Sequence, residues 1–315
     1  MAKPPTGPRP SSGKRPYVPE PRGHHSERPP ASGDMPARPV ASRAFEQITS
    51  QPRSEAPPRF KDKARFAPKP KPPKVPLPED TDVLYGIHSV REALANPARR
   101  FRKLLATENA MLRLSEGIDL RIEPILVKPD EINKLLEPDA VHQGAYLEAQ
   151  RLPLLALGTI PQDRIVVALD QVTDPHNVGA ILRSSAAFGV GAVLTTFRHS
   201  PEITGVLAKA ASGALEHVPI VGVTNLGRAL NELKAGGFQV VGLDSEAPEI
   251  IGAVTLRRPV VLVLGAEGKG LRQSTRALCD VLARLELPGA IKSLNVSNAA
   301  AIGLYAVYTA LESTS

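Results

Sequence analysis

From Arg164 onward, strand-length apolar runs alternate with helical patterns. RIVVALDQV (164–172) and PVVLVLG (259–265) are apolar almost throughout, as strands covered on both faces must be. VGAVLTTF (190–197), HVPIVGV (217–223), FQVVGLD (238–244) and LARLELP (282–288) read as further strands. Helical patterns fill the gaps at 178–188, 201–215, 226–236 and 297–312. This alternation predicts an α/β fold with a mainly parallel sheet. Such sheets bind ligands at the C-terminal ends of their strands. An inactive α/β domain fits the same pattern, so the function has to come from the loops at those ends.

A smaller α/β unit is expected over 83–151. LYGIHSVREALAN (84–96) reads as a short strand, a turn at Gly86, then a helix with Val90, Ala93 and Leu94 on one face. RKLLAT (102–107), IEPILVK (122–128) and HQGAYLEA (142–149) read as strands. PDEINKLL (129–136) opens with a proline and two acids, as a helix does. LPLLALGTIPQD (152–163) reads as the connector to a second domain over 164–315.

Residues 1–80 differ in kind. They hold 16 Lys and Arg against 8 Asp and Glu, and 20 of the 32 prolines. So little apolar surface cannot offset the entropy of ordering, and residues 1–82 are expected to be a disordered tail. KPKPPKVPLP (69–78) suits polyproline II and a semi-rigid spacer. The tail's charge suits a polyanion, RNA or DNA first; a solubilising extension is the plainer alternative. The start lacks the apolar core of a signal peptide. No run is long and apolar enough for a bilayer. A soluble cytoplasmic protein is therefore expected. Cys279 is the single cysteine, so no internal disulfide forms, and the scattered histidines suggest no metal site.

Three loops at predicted strand ends carry unusual residues. In DPHNVGAILR (174–183), Asn177 is a good helix N-cap, and Val178, Ile181 and Leu182 form a core stripe. Arg183 rises instead from a face shared with Gly179, Ala186 and Ala187. A solvated surface arginine is one reading. The other is that so bare a face lets another backbone, or a phosphate held by the guanidinium fork, come close. LGAEGKGLR (264–272) is Gly-rich but lacks both the Lys-Ser/Thr ending of a P-loop and GxGxxG. A tight turn with a solvated Glu267 would account for it equally well. LPGAIKSLNVSNAA (287–300) gathers Ser293, Asn295, Ser297 and Asn298 before an apolar helix. One N-cap needs one such residue; four exceed that demand.

Together these loops resemble the three motifs of the SpoU (TrmH) family of RNA 2′-O-ribose methyltransferases, within the SPOUT superfamily. Asn177 and Arg183 match the first motif, LGAEGKGL the second and SLNVS (293–297) the third. KAASGALEHVPIV (209–221) resembles the family's stretch between the first two. GIHSVREAL (86–94) through VHQGAYLEA (141–149) resembles the small L30e-like substrate-binding domain of many members. The third motif departs from many relatives, which have a Met after the proline and a few more residues before SLN. Asn298 stands where relatives commonly carry an apolar residue.

The resemblance implies a trefoil-knotted α/β domain over 164–315, a homodimer, and S-adenosylmethionine as cofactor without a metal. The cofactor would be held around Leu264, Gly265, Ala266, Gly268, Leu287 and Leu294. The implied catalytic set is Arg183, Asn177, Glu267, Asn295 and Ser293. Arg183 would clamp a phosphate and stabilise alkoxide charge, because a guanidinium stays protonated. Asn177 and Glu267 would orient Arg183 or the ribose, and Asn295 and Ser293 would hold ribose and cofactor. Bare positions on helix 178–188, with Ala299, Ala300, Ala301 and Gly303, would serve the dimer interface. The expected substrate is a guanosine of 23S ribosomal RNA. A tRNA guanosine 2′-O-methyltransferase, an adenosine-methylating resistance enzyme, and a non-catalytic RNA-binding or ribosome-assembly protein on the same scaffold are the alternatives. A dinucleotide oxidoreductase would need GxGxxG after the first strand, which DPHNVG does not supply.

Overall fold

The computed structural model describes residues 77–197 and 205–313. The expected tail lies outside the described residues up to position 76, as do positions 201–204 of the helix predicted over 201–215.

The first part runs β1 (Thr81–Tyr85), α1 (Ile87–Ala95), β2 (Phe101–Ala106), α2 (Glu108–Ser115), β3 (Pro124–Leu126), α3 (Pro129–Asn133), β4 (Ala145–Gln150). Its sheet has the order β1-β4-β2-β3. β4 is antiparallel to β1 and β2, and β2 and β3 are parallel. Val90, Ala93 and Leu94 of α1 are fully buried with Leu84, Leu104 and Leu147 of the sheet. Each large apolar side chain among them is worth about 1.5–3 kcal/mol.

Helix α2 has no counterpart in the predicted elements. ENAMLRLS buries only Ala110 and Leu114, and Leu112 points to solvent, so its apolar period is weak. It is started by its cap: the Thr107 hydroxyl accepts from Ala110 N at 3.3 Å. β1 begins at Thr81, inside the stretch expected to be tail, and so brings Asp82 into the interior as a partner for Arg99.

The second part runs β5 (Ile165–Asp170), α4 (Pro175–Ala187), β6 (Ala192–Thr196), α5 (Gly205–Ala211), β7 (Ile220–Val223), α6 (Leu226–Ala235), β8 (Gln239–Leu243), β9 (Glu249–Ile250), β10 (Val260–Gly265), α7 (Gln273–Arg276), β11 (Val281–Arg284), α8 (Val296–Glu312). All seven strands are parallel, in the order β7-β6-β5-β10-β8-β11-β9. Alternate residues of β10 enter opposite cores. Val260, Leu262 and Leu264 pack with α4 and α8, whereas Val261 and Val263 pack with α6. That two-sided burial is why PVVLVLG has no polar position.

Helix α5 stops at Ala211, well short of the expected 215. Ser212 and Gly213 take φ of 51° and 93°, and a 3-10 turn, Ala214–Glu216, follows. At Gly213 a Cβ would stand 2.4 Å from Glu92 Cγ of α1, so the reversal lets the two parts pack closely.

A buried ion-pair network joins the two parts. Arg99 binds Asp82 at 2.9 Å and Glu216 at 2.9 Å, and all three side chains are at most 2 % exposed. Arg99 also donates to Gln150 O, and Asn96 Nδ2 donates to Glu216 Oε2 at 2.7 Å. Arg151 reaches the other oxygen of Asp82 at 3.0 Å. Burial pushes the Arg99 pKa down, but the carboxylates of Glu216 and Asp82 outweigh it and hold it above its ordinary value.

Candidate active site

Strands β5 and β10 pair in register, with Gly265 opposite Asp170, so the loops leaving their C-terminal ends start side by side. The loop after β10 is a tight hairpin. Ala266 and Gly270 exchange both backbone hydrogen bonds, at 3.2 and 2.8 Å. Gly268 and Gly270 have φ of 75° and 64°. Gly265 has to be glycine for another reason: a Cβ there would lie 2.2 Å from the Gly270 carbonyl carbon. The hairpin's far end is tied down by Asp170, which is fully buried and accepts from Arg272 N at 3.0 Å and Arg272 Nε at 2.7 Å.

Asn177 is not the N-cap of its helix. That role belongs to Asp174, whose carboxylate accepts from His176 N at 3.0 Å. Asp174 is the last extended residue before Pro175, and proline suits the first helical position. Asn177 therefore lies within the first turn, and its side chain is free for other partners. Asn177 Oδ1 accepts from Asn295 Nδ2 at 3.0 Å, and Asn177 Nδ2 lies 3.4 Å from Glu267 Oε2. Asn295 Nδ2 also lies 3.4 Å from Glu267 Oε2. One residue from each of the three loops thus meets at one point.

Asn295 is also the N-cap of α8. Its Oδ1 accepts from Ser297 N at 2.9 Å and from the Ser297 hydroxyl at 2.6 Å. Its carboxamide divides its work, the oxygen starting the helix and the nitrogen reaching across to Asn177. Asn298 is not the cap.

Two cavities flank this meeting point and share Ala266, Glu267 and Val296 in their walls. The first, about 160 Å³, is lined by every residue expected to hold the cofactor: Leu264, Gly265, Ala266, Gly268, Leu287 and Leu294. Ser293 lines it as well. Leu243, Asp244 and Ser245 at the end of β8, and Lys292, also line it, unforeseen. The rule that ligands sit at strand C-termini pointed to the end of β8. Apolar walls with a few charged groups suit a ligand with a flat apolar ring and a charged end, which fits S-adenosylmethionine. The second cavity, about 430 Å³, is more polar and takes in Gln171, Thr173, Asp174, Asn177 and Lys269.

Arg183 stands apart. It is exposed on α4, lines neither cavity, and makes no hydrogen bond or ion pair among the described residues. The bare face beside it is filled in part by another backbone. A Cβ at Gly179 would lie 2.6 Å from Leu207 O, so this glycine admits α5.

The matches to known proteins follow the same division of the chain. Residues 164–305 match the family model described as SpoU rRNA Methylase family. Residues 83–154 match the model described as RNA 2′-O ribose methyltransferase substrate binding. A 23S rRNA (guanosine-2′-O-)-methyltransferase RlmB from Pseudomonas aeruginosa is 37% identical over 238 residues, 71% of this chain and 94% of that protein. The chain belongs to the SpoU rRNA methylase family. The RlmB of Coxiella burnetii is 38% identical over 236 residues, again 71% of this chain and 94% of that protein. Among solved structures, the SpoU methyltransferase AviRb from Streptomyces viridochromogenes in complex with AdoMet shares the fold. Its TM-score is 0.63 at 24% identity, covering 73% of this chain and 90% of that one. Among the described residues no group of His, Cys, Asp and Glu could hold a metal ion, and no helix is long and apolar enough to cross a membrane.

Proposed function

We infer that this SpoU-family protein is an S-adenosylmethionine-dependent RNA 2′-O-ribose methyltransferase acting on a guanosine of 23S ribosomal RNA. The observation that carries this reading is the junction of Asn177, Glu267 and Asn295 between the two cavities. The smaller cavity takes the cofactor and the larger one the ribose, with the junction at their common wall. The RlmB relatives supply the substrate, and the match over 83–154 supplies a part of the chain to grip it.

Bound S-adenosylmethionine supplies an electrophilic methyl group. The work of the protein is to hold a ribose hydroxyl in line with it and to ease the loss of the hydroxyl proton. Asn177 and Asn295 fix each other, so neither has to be ordered when the ribose arrives. Glu267 has one oxygen directed at both amides and offers the other to the ribose. Arg183 lines neither cavity, so its part in this reading is the one the family resemblance gives: a clamp on the neighbouring phosphate that balances alkoxide charge as it develops. Leu264, Gly265, Ala266, Gly268, Leu287, Leu294 and Ser293 hold the cofactor.

The same reading includes a homodimer, a trefoil knot within 164–315, and an L30e-like fold for the small domain. Ile302, Tyr305 and Tyr308 of α8 are 46, 60 and 42 % exposed, and Phe188 packs against both tyrosine rings. An apolar flank of this kind is what a second copy would cover. The insertion of β10 between β5 and β8, and the return of α8 against α4, support the knot. A ribosomal RNA substrate would put the enzyme in the cytoplasm.

Two measurements on the full chain test the reading. Calorimetry is expected to show stoichiometric S-adenosylmethionine binding. Incubation with unmodified 23S RNA is expected to place one new ribose methyl on a guanosine. Absence of cofactor binding would overturn the enzyme assignment, and methylation confined to tRNA would overturn the substrate.

A further inference from the structure

Two stretches that the methyl-transfer chemistry leaves unused meet where the parts of the chain adjoin: HQG (142–144) of the small part and the KAASGAL segment that begins in α5. Lys209 Nζ donates to Gln143 Oε1 at 3.0 Å. The same oxygen accepts from Ile87 N at 3.1 Å. Gln143 is held at φ 53°, a rare conformation for a side-chain-bearing residue, between Gly86 at φ 87° and Gly144 at φ 81°. Lys209 lies so close over Gly86 that a Cβ there would be 2.3 Å from its amine.

The electrostatics of this junction are incomplete among the described residues. Among the described residues no carboxylate lies within ion-pair distance of Lys209; its one partner is a neutral amide oxygen. Burial holds its pKa below the ordinary value. The neighbouring His142 is also held low, first by burial and then by the positive charge of Lys209. A partly desolvated cation facing a neutral acceptor is poorly compensated. Arg99, a purely structural cation at the same boundary, has two carboxylates.

We propose that Lys209 and the Ile87 amide form a phosphate site for the substrate RNA backbone, with the Gln143 side-chain oxygen standing where a phosphate oxygen binds. RNA entering the site displaces Gln143 Oε1 and puts an anion against the Lys209 amine. Because Ile87 belongs to the small part and Lys209 to the large, one phosphate is gripped by both. The site rests on the RNA-methyltransferase reading.

The test uses the full chain and unmodified 23S RNA, with affinity measured across a series of KCl concentrations. Lys209→Ala and Gln143→Ala break the same hydrogen bond, but only the first removes the cation. Lys209→Ala is expected to weaken binding roughly tenfold. It should also make the slope of log K against log salt shallower by about 0.7–0.9, one phosphate contact. Gln143→Ala is expected to run parallel to the unaltered protein, and Lys209→Arg to keep the slope. If Lys209 only ties the two parts together, Lys209→Ala leaves the slope unchanged or both alanine variants shift it alike, and either result overturns the proposal. The unaltered chain separates the two levels. If it methylates 23S RNA while Lys209→Ala leaves the slope intact, the phosphate site falls and the enzyme reading stands. If it binds no RNA at all, both fall.

Discussion

Arg99 and Arg183 sit in differently built surroundings. The Arg99 side chain is 1 % exposed, with a carboxylate on either side and a backbone carbonyl besides. Arg183 is exposed and has no polar partner among the described residues. Around Arg99 nearly every donor is spent on this chain. At the proposed methyl-transfer junction the two asparagines are joined at 3.0 Å, but Glu267 lies 3.4 Å from each of their amides and, among the described residues, keeps its other oxygen open. Polar groups that serve the fold are saturated, because an unpaired buried charge is costly. Polar groups that serve a substrate keep capacity in reserve, because the substrate has to supply the missing partners.

The sharpest way to break this contrast is Arg99→Ala. It strands Glu216 as a buried carboxylate with only the Asn96 amide beside it and leaves Asp82 with Arg151 alone, and about 3–5 kcal/mol of stability should be lost in urea unfolding. A loss below about 1 kcal/mol would mean that the network is not what joins the two parts. Arg183→Ala should do the reverse. The methyl-transfer rate falls about 10²–10³-fold in single-turnover assays, the loss expected for a removed transition-state charge stabiliser. The unfolding free energy stays within about 0.5 kcal/mol, and S-adenosylmethionine affinity is unaltered. Retained turnover, or an equal loss of stability, would erase the distinction. The smallest effect belongs to Glu216→Gln, which keeps the side-chain outline and one accepting oxygen but removes the charge and turns the other oxygen into a donor. A loss of about 1–3 kcal/mol in urea unfolding measures the share of that carboxylate in the Arg99 network.

What could be read from the amino acids divides along a similar line. The parallel sheet was legible because β5 and β10 are apolar on both faces, a pattern that few arrangements besides a doubly covered strand produce. The surplus of Ser and Asn at 293–298 was legible too, since a single cap could not use them all. Asn177 was placed in the right loop but misread as a cap. Its neighbour Asp174 is an equally good cap residue, and only the position of Pro175 as the first helical residue decides between them. Helix α2 escaped notice because just two of its residues are buried. The Arg99 network could not be foreseen, since Arg99 and Glu216 are 117 positions apart and no local pattern links them. Asp244 and Ser245 are a different omission, because the strand-end rule reached β8 and was applied only to the loops rich in glycine and asparagine.

Helix α8 connects the cleft to the outer surface. Its 17 residues make a rod about 26 Å long. The residue that caps the rod also holds Asn177 across the cleft, at 3.0 Å. Its flank carries Ile302, Tyr305 and Tyr308, all open to the outside. An axial slide of roughly 1 Å would stretch that amide contact past hydrogen-bonding range. The alignment of the cleft is therefore set partly at a distance, by whatever seats the flank of α8 and keeps the rod from sliding.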